Sequence, residues 1–145
     1  MSSLRSLATV AALAVLPLVA AGCTESPTTP SGFAPFSRTD LRVGDGATAV
    51  NGSVVTVNYT GWLYDSTKTD SKGLQFESSL SSSPFTFTLG AGQVIVGWDL
   101  GIPGMNVGGV RRIVVPPGLA YGDKRNGIIP PNATLIFDVE LLEAQ

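Results

Sequence analysis

Tyr59 and Tyr121 are the residues of this chain best suited to holding a ligand by contact and hydrogen bonding. Each tyrosine carries a hydroxyl that wants a partner, and each lies close to a glycine, where a backbone can bend around a bound molecule. Proton-transfer chemistry has much less to work with. The chain contains no histidine and a single cysteine, Cys23, so neither a Ser-His-Asp nor a Cys-His nucleophile pair can be assembled, nor a histidine-rich zinc site. Its glycines fall in turns between short β-like runs and never in the spacing of a phosphate-binding or dinucleotide-binding loop. An enzyme made from these residues would work without cofactor or metal and without a strong general base. Nucleic acid is not an expected partner, because 9 Lys and Arg face 11 Asp and Glu and no basic run interleaves with aromatics.

Most aromatics in a small β-rich domain are core, and Phe87 and Leu89 are read that way; taken alone, Phe85 and Phe137 would be too. The elements that must position them follow from period. Val55, Val57 and Tyr59 alternate with Thr56 and Asn58, which places the Tyr59 ring on the core side with the valines. Phe85, Phe87 and Leu89 alternate with Thr86 and Thr88; Ile113 to Val115 is a short branched run closed by Pro116-Pro117; and Leu135, Phe137, Val139 and Leu141 define a last strand. A helix is predicted only from Gly97 to about Ile102, ended by Pro103-Gly104, and Pro130-Pro131 reads as a rigid turn. One short helix with four to five antiparallel strands is an α+β arrangement.

The N-terminus reads as an address. Leu7 to Ala21 is uncharged and apolar, follows Arg5, and is shorter than the ~20 residues of a membrane span, which suits a signal peptide over 1–22. Ala20-Ala21-Gly22-Cys23 resembles a bacterial lipobox, with Cys23 diacylated as the mature N-terminus; the other reading is an ordinary secretory signal with Cys23 a spare thiol. Acylation would place the chain in the cell envelope, anchored in a membrane, and Thr24 in place of an inner-membrane Asp signal favours the outer one. Residues 23–38 then form a Pro/Ser/Thr-rich tether of about 40 Å, with Phe33 and Phe36 able to dock on a domain spanning 39–145. An extra N-terminal strand is the other reading of this segment, weakened by Pro27, Pro30 and Pro35.

Five strings in order carry a resemblance: Val57-Asn58-Tyr59-Thr60-Gly61, Phe76-Glu77-Ser78-Ser79, Val94-Ile95-Val96-Gly97-Trp98, Ala120-Tyr121-Gly122, and Ile128 through Leu141. Over roughly residues 39 to 143 the chain resembles the FKBP family of peptidyl-prolyl cis-trans isomerases. The resemblance implies a sheet wrapped around the helix and a hollow between them for a proline ring. Trp98 would be its floor and Tyr59, Phe76, Phe85 and Phe137 its walls. Val94 and Ile95 precede the helix, the Ile95 N–H and the Tyr121 hydroxyl would donate to substrate, and Ile128 and Ile129 would form a mobile rim. Glu77 stands where the family usually has Asp, a departure that bears on macrolide binding more than on turnover. Two further departures are a shortened, charged loop at Asp123-Lys124-Arg125 and a polar insertion, Ser66 to Leu74, expected as a surface loop.

The implied activity is isomerisation of X-Pro bonds in proline-containing polypeptides, with apolar X, by a monomer that assists folding of exported proteins. A non-catalytic peptide-binding or holdase chaperone on the same fold is the alternative. A chain without histidine suits this activity, since crossing the roughly 18–20 kcal/mol barrier to amide rotation requires no proton transfer.

Overall fold

The alternation that starts at Val55 builds the longest strand of the molecule. The computed structural model describes residues 32–145; the expected signal segment, Cys23 and the tether as far as residue 31 lie outside them. Six strands and one α-helix follow in order: β1 (Ser37–Arg42), β2 (Val54–Tyr64), β3 (Lys72–Ser78), β4 (Phe85–Thr88), α1 (Val96–Gly101), β5 (Val110–Val115) and β6 (Leu135–Ala144). All pairings are antiparallel, in the order β1-β5-β6-β2-β3, with β4 also on β2. The register sets Tyr59 opposite Val139 and Gly61 opposite Phe137, and Phe137 in turn opposite Ile113. Val55, Val57, Ile113, Val115, Leu135, Phe137, Val139 and Leu141 therefore share the inner face and are buried there with Trp98 and Ile102. Burying each such side chain contributes about 1.5–3 kcal/mol.

Helix α1 has six residues and would not form alone. Two of them, Gly97 and Gly101, lie one turn apart against β5. A β-carbon at Gly101 would come within 2.7 Å of Ile113 Cδ1, and one at Gly97 would overlap the Val115 side chain. Glycine lets the helix lie directly on the strand, and Trp98 turns from there toward β2 and β6. Pro103 and Gly104, the latter at φ +84°, end the helix as its sequence predicts.

Three expectations about element boundaries change. The sheet has six strands instead of four or five. An N-terminal strand does form, starting at Ser37 and so taking Ser37 and Arg38 out of the tether; Pro35 and the prolines before it all precede this strand, so none interrupts its pairing with β5. Phe36 packs against the core, whereas Phe33 is exposed. The polar insertion is also not all loop, because Lys72 to Leu74 open β3. Lys72 is fixed by Asp138, 2.6 Å from its Nζ, and lies 3.9 Å from the centre of the Trp62 ring. Its polarity is that of an outward-facing strand position.

Candidate active site

Between α1 and the inner face of the sheet is a hollow of about 300 Å³ lined by Tyr59, Glu77, Phe85, Gln93, Val94, Ile95, Trp98, Tyr121 and Phe137. Trp98, 4% exposed, is met edge-on by Tyr59 at 4.9 Å and Phe137 at 5.3 Å between ring centres, with Phe85 at 6.4 Å. These are the edge-to-face contacts that aromatic quadrupoles favour, and they hold each ring in one orientation. Phe76 stands behind this lining, edge-on to Phe137 at 5.7 Å. Gly61 makes the room: a β-carbon there would lie 2.6 Å from Phe76 and 2.9 Å from Phe137.

The backbone around the hollow is fixed by three side chains, Ser79, Gln93 and Asp99. Ser79 Oγ accepts the Tyr59 N–H at 2.9 Å while the Ser79 N–H donates to the Tyr59 carbonyl at 2.9 Å. Gln93 Oε1 accepts the Thr88 N–H at 2.8 Å. Asp99, in the first turn of α1, accepts the N–H groups of Gly90 at 2.8 Å and Gly92 at 3.1 Å, which ties the helix to the loop carrying Gln93, Val94 and Ile95.

Against this order, two donors are left over. The Ile95 N–H has no acceptor among the described residues, and the buried Trp98 Nε1 has none either. Burial pushes the Tyr59 phenol up to about 12, with the neighbouring Glu77 carboxylate as the second cause. Burial and the charge of Glu77 also raise the Tyr121 phenol, an effect partly offset by Asn126. Both hydroxyls therefore keep their protons through the neutral range. Chemically the hollow offers apolar enclosure, neutral donors and one carboxylate at its margin. Among the described residues no cluster of three metal-ligating side chains occurs.

Of the residues singled out from the sequence, Tyr59, Glu77, Phe85, Val94, Ile95, Trp98, Tyr121 and Phe137 come together here. Phe76 does not reach the lining. Ile128 and Ile129, expected together at a rim, are parted by a tight turn in which Asn126 and Ile129 exchange backbone hydrogen bonds at 3.1 and 2.9 Å. Ile128 is 57% exposed, whereas Ile129 is 5% exposed and belongs to the core. Sequence reasoning missed Gln93, Ser79 and Asp99. Ser79 lay within a recognised string, and its signal was a small hydroxyl side chain at a strand end.

Residues 46–142 match the FKBP-type peptidyl-prolyl cis-trans isomerase family. An FK506-binding protein of Neisseria meningitidis serogroup A is 51% identical over 106 residues, covering 72% of this chain and 91% of that protein. Among solved structures, AtFKBP13 is similar with a TM-score of 0.65 at 37% identity, over 76% of this chain and 93% of that one. FkpA from Escherichia coli gives a TM-score of 0.63 at 37% identity, over 76% of this chain and 48% of the other. A six-stranded antiparallel sheet around one short helix, a sequence match across most of that fold and half-identical relatives agree: the chain belongs to the FKBP-type peptidyl-prolyl cis-trans isomerases and is an enzyme of that activity.

Proposed function

We propose that the hollow over Trp98 is where this isomerase turns X-Pro bonds, and that it does so on exported polypeptides in the cell envelope while anchored through an acyl chain on Cys23. The observation that carries the site is the pairing of an aromatic enclosure with an unused Ile95 N–H at its edge. In this reading the proline ring rests on Trp98 between Tyr59, Phe85 and Phe137, with Phe76 bracing Phe137 from behind. The Ile95 N–H and the Tyr121 hydroxyl hold carbonyls on either side of the rotating bond, and Ile128 marks the outer margin. An amide loses charge separation as it twists out of plane, so a dry apolar site favours the twisted form over the planar one. Donors already in position add stabilisation without reorganising during rotation. Glu77 sits beside both phenols and helps keep them protonated.

Removing the Tyr121 hydroxyl leaves no hole, so Tyr121→Phe is expected to lower turnover about 3- to 10-fold in a protease-coupled proline-peptide assay, with melting temperature nearly unchanged. Full turnover in this variant would place the chemistry elsewhere. The envelope reading is supported by the apolar run that ends in Ala20-Ala21-Gly22-Cys23. In a bacterial host, Cys23→Ser should move the protein from the detergent phase to the aqueous phase. Wild-type protein already found in the aqueous phase would end the lipoprotein reading.

A further inference from the structure

Arg111 is an arginine on the inner face of the sheet, with only 8% of its side chain exposed. Its guanidinium joins β1 to the end of α1. On one side Nε and Nη2 donate to the Asp40 carboxylate of β1 at 2.6 and 3.2 Å. On the other, Nη1 donates to the carbonyls of Gly101 at 2.8 Å and Pro103 at 3.1 Å, at the end of α1. Arg38, also on β1, reaches the carbonyls of Leu100 at 3.2 Å and Pro103 at 3.4 Å. The last carbonyls of a helix lack partners within it and attract a cation, and α1 has no basic residue of its own in its last turn. Here the cation comes from β5, and Asp40 orients it.

We infer that Arg111 is a positioning residue for isomerisation: it fixes the angle at which the six-residue helix presents Trp98 and the Ile95 amide, and it does so only with β1 in place. The strand, which precedes the matched residues 46–142, is then part of the working enzyme. The planar fork of arginine is required, because one group must satisfy a carboxylate and two carbonyls together. Lysine, a point charge with three donors on a flexible stem, cannot hold all of them in one geometry. The inference rests on the hollow over Trp98 being the site, and the experiment separates the two.

Full-length protein carrying Trp62→Phe has Trp98 as its one tryptophan, so emission reports the helix directly. In that background Arg111→Lys is expected to lower kcat about tenfold per folded molecule and to shift the Trp98 emission maximum, since small misplacements of positioned groups have large effects on rate. Asp40→Asn should do both to a lesser degree. Ser37→Gly, which weakens β1 at the residue paired with Val114 of β5, should lower the melting temperature while leaving kcat, KM and emission as they were. If Arg111→Lys fails to fold, Asp40→Asn decides. Unchanged kcat, KM and emission in the Asp40 and Arg111 variants would overturn the positioning role and leave a strand clamp. Shifted emission with full turnover would overturn the assignment of the hollow as the site, and this role with it.

Discussion

On the inner face of β6, Phe137 meets Trp98 and Phe76 edge-on; on the outer face, one residue later, Asp138 receives Arg112 at 2.7 and 3.0 Å and Lys72 at 2.6 Å. Further along the outer face Glu140 accepts Arg42 at 2.8 Å. The charged groups of Asp138 and Glu140 on that side are paired. Among the described residues the inner side leaves the Trp98 Nε1 and the Ile95 N–H without a partner, at an expense of about 1–3 kcal/mol for the buried indole donor. The difference shows how one strand serves both ends: satisfied groups on the wet face hold the sheet, and unsatisfied groups on the dry face remain available to a substrate. Stability and activity should therefore separate by face.

The sharpest way to break this contrast is Asp138→Asn. It leaves two cations around a group no longer charged, and since the pair is only partly buried the loss should be about 1–3 kcal/mol. A calorimeter should read that as a melting temperature lower by on the order of 10 °C, with turnover per folded molecule unchanged. Reduced turnover would mean the outer face also shapes the site.

Adding one hydroxyl at each of two inner positions tests the dry face itself. Phe87→Tyr buries an unpaired hydroxyl in the core and should destabilise by about 1–3 kcal/mol while activity per folded molecule holds. Phe137→Tyr places the same group at the hollow, where turnover should fall and melting change less. The reverse pattern would exchange the roles of the two rings.

The smallest effect is with pH. Turnover should vary less than about twofold from pH 6 to 9, because the donors are an amide and phenols held protonated. A bell-shaped profile would make Glu77 an acid or base. Stability should yield at opposite pH extremes for the two carboxylates and for Tyr59. Asp40 is held below the ordinary 3.8 chiefly by its hydrogen bonds to Arg111; Asp138 is held below it despite burial, by Arg112 and Lys72. Their contribution is full above about pH 4 and is lost as pH falls further. Tyr59 acts in the other direction: its contribution is complete below pH 10 and is lost as pH rises toward about 12.

Much of the inner face was legible because its cause is local. The alternation at Val55, Val57 and Tyr59 and at Leu135 through Leu141 is the pleat itself, and Pro103-Gly104 stops a helix wherever it occurs. Strand β3 was less legible, since bulges break its register with β2 at Gly61/Trp62 and again at Trp62/Tyr64, and of its residues only Phe76 packs against the core. Ile128 and Ile129 are alike in sequence, and only the turn that reverses the chain between Asn126 and Ile129 sends one out and the other in. The grip of Ser79 on Tyr59 crosses 20 residues and that of Arg111 on Asp40 crosses 71. No periodicity reports a contact of that range.

The two glycines under α1 also determine how deep the hollow can be. Trp98 rests on a helix whose back touches Val115 and Ile113 with no side chain between. Anything larger at Gly97 or Gly101 would wedge helix from strand and lift the indole toward the opening, leaving a shallower recess lined by the same aromatics. The volume available to a substrate is thus adjustable from behind the floor, at two positions the substrate never meets, and variation there would change which proline-bearing segments fit without altering any residue that touches them.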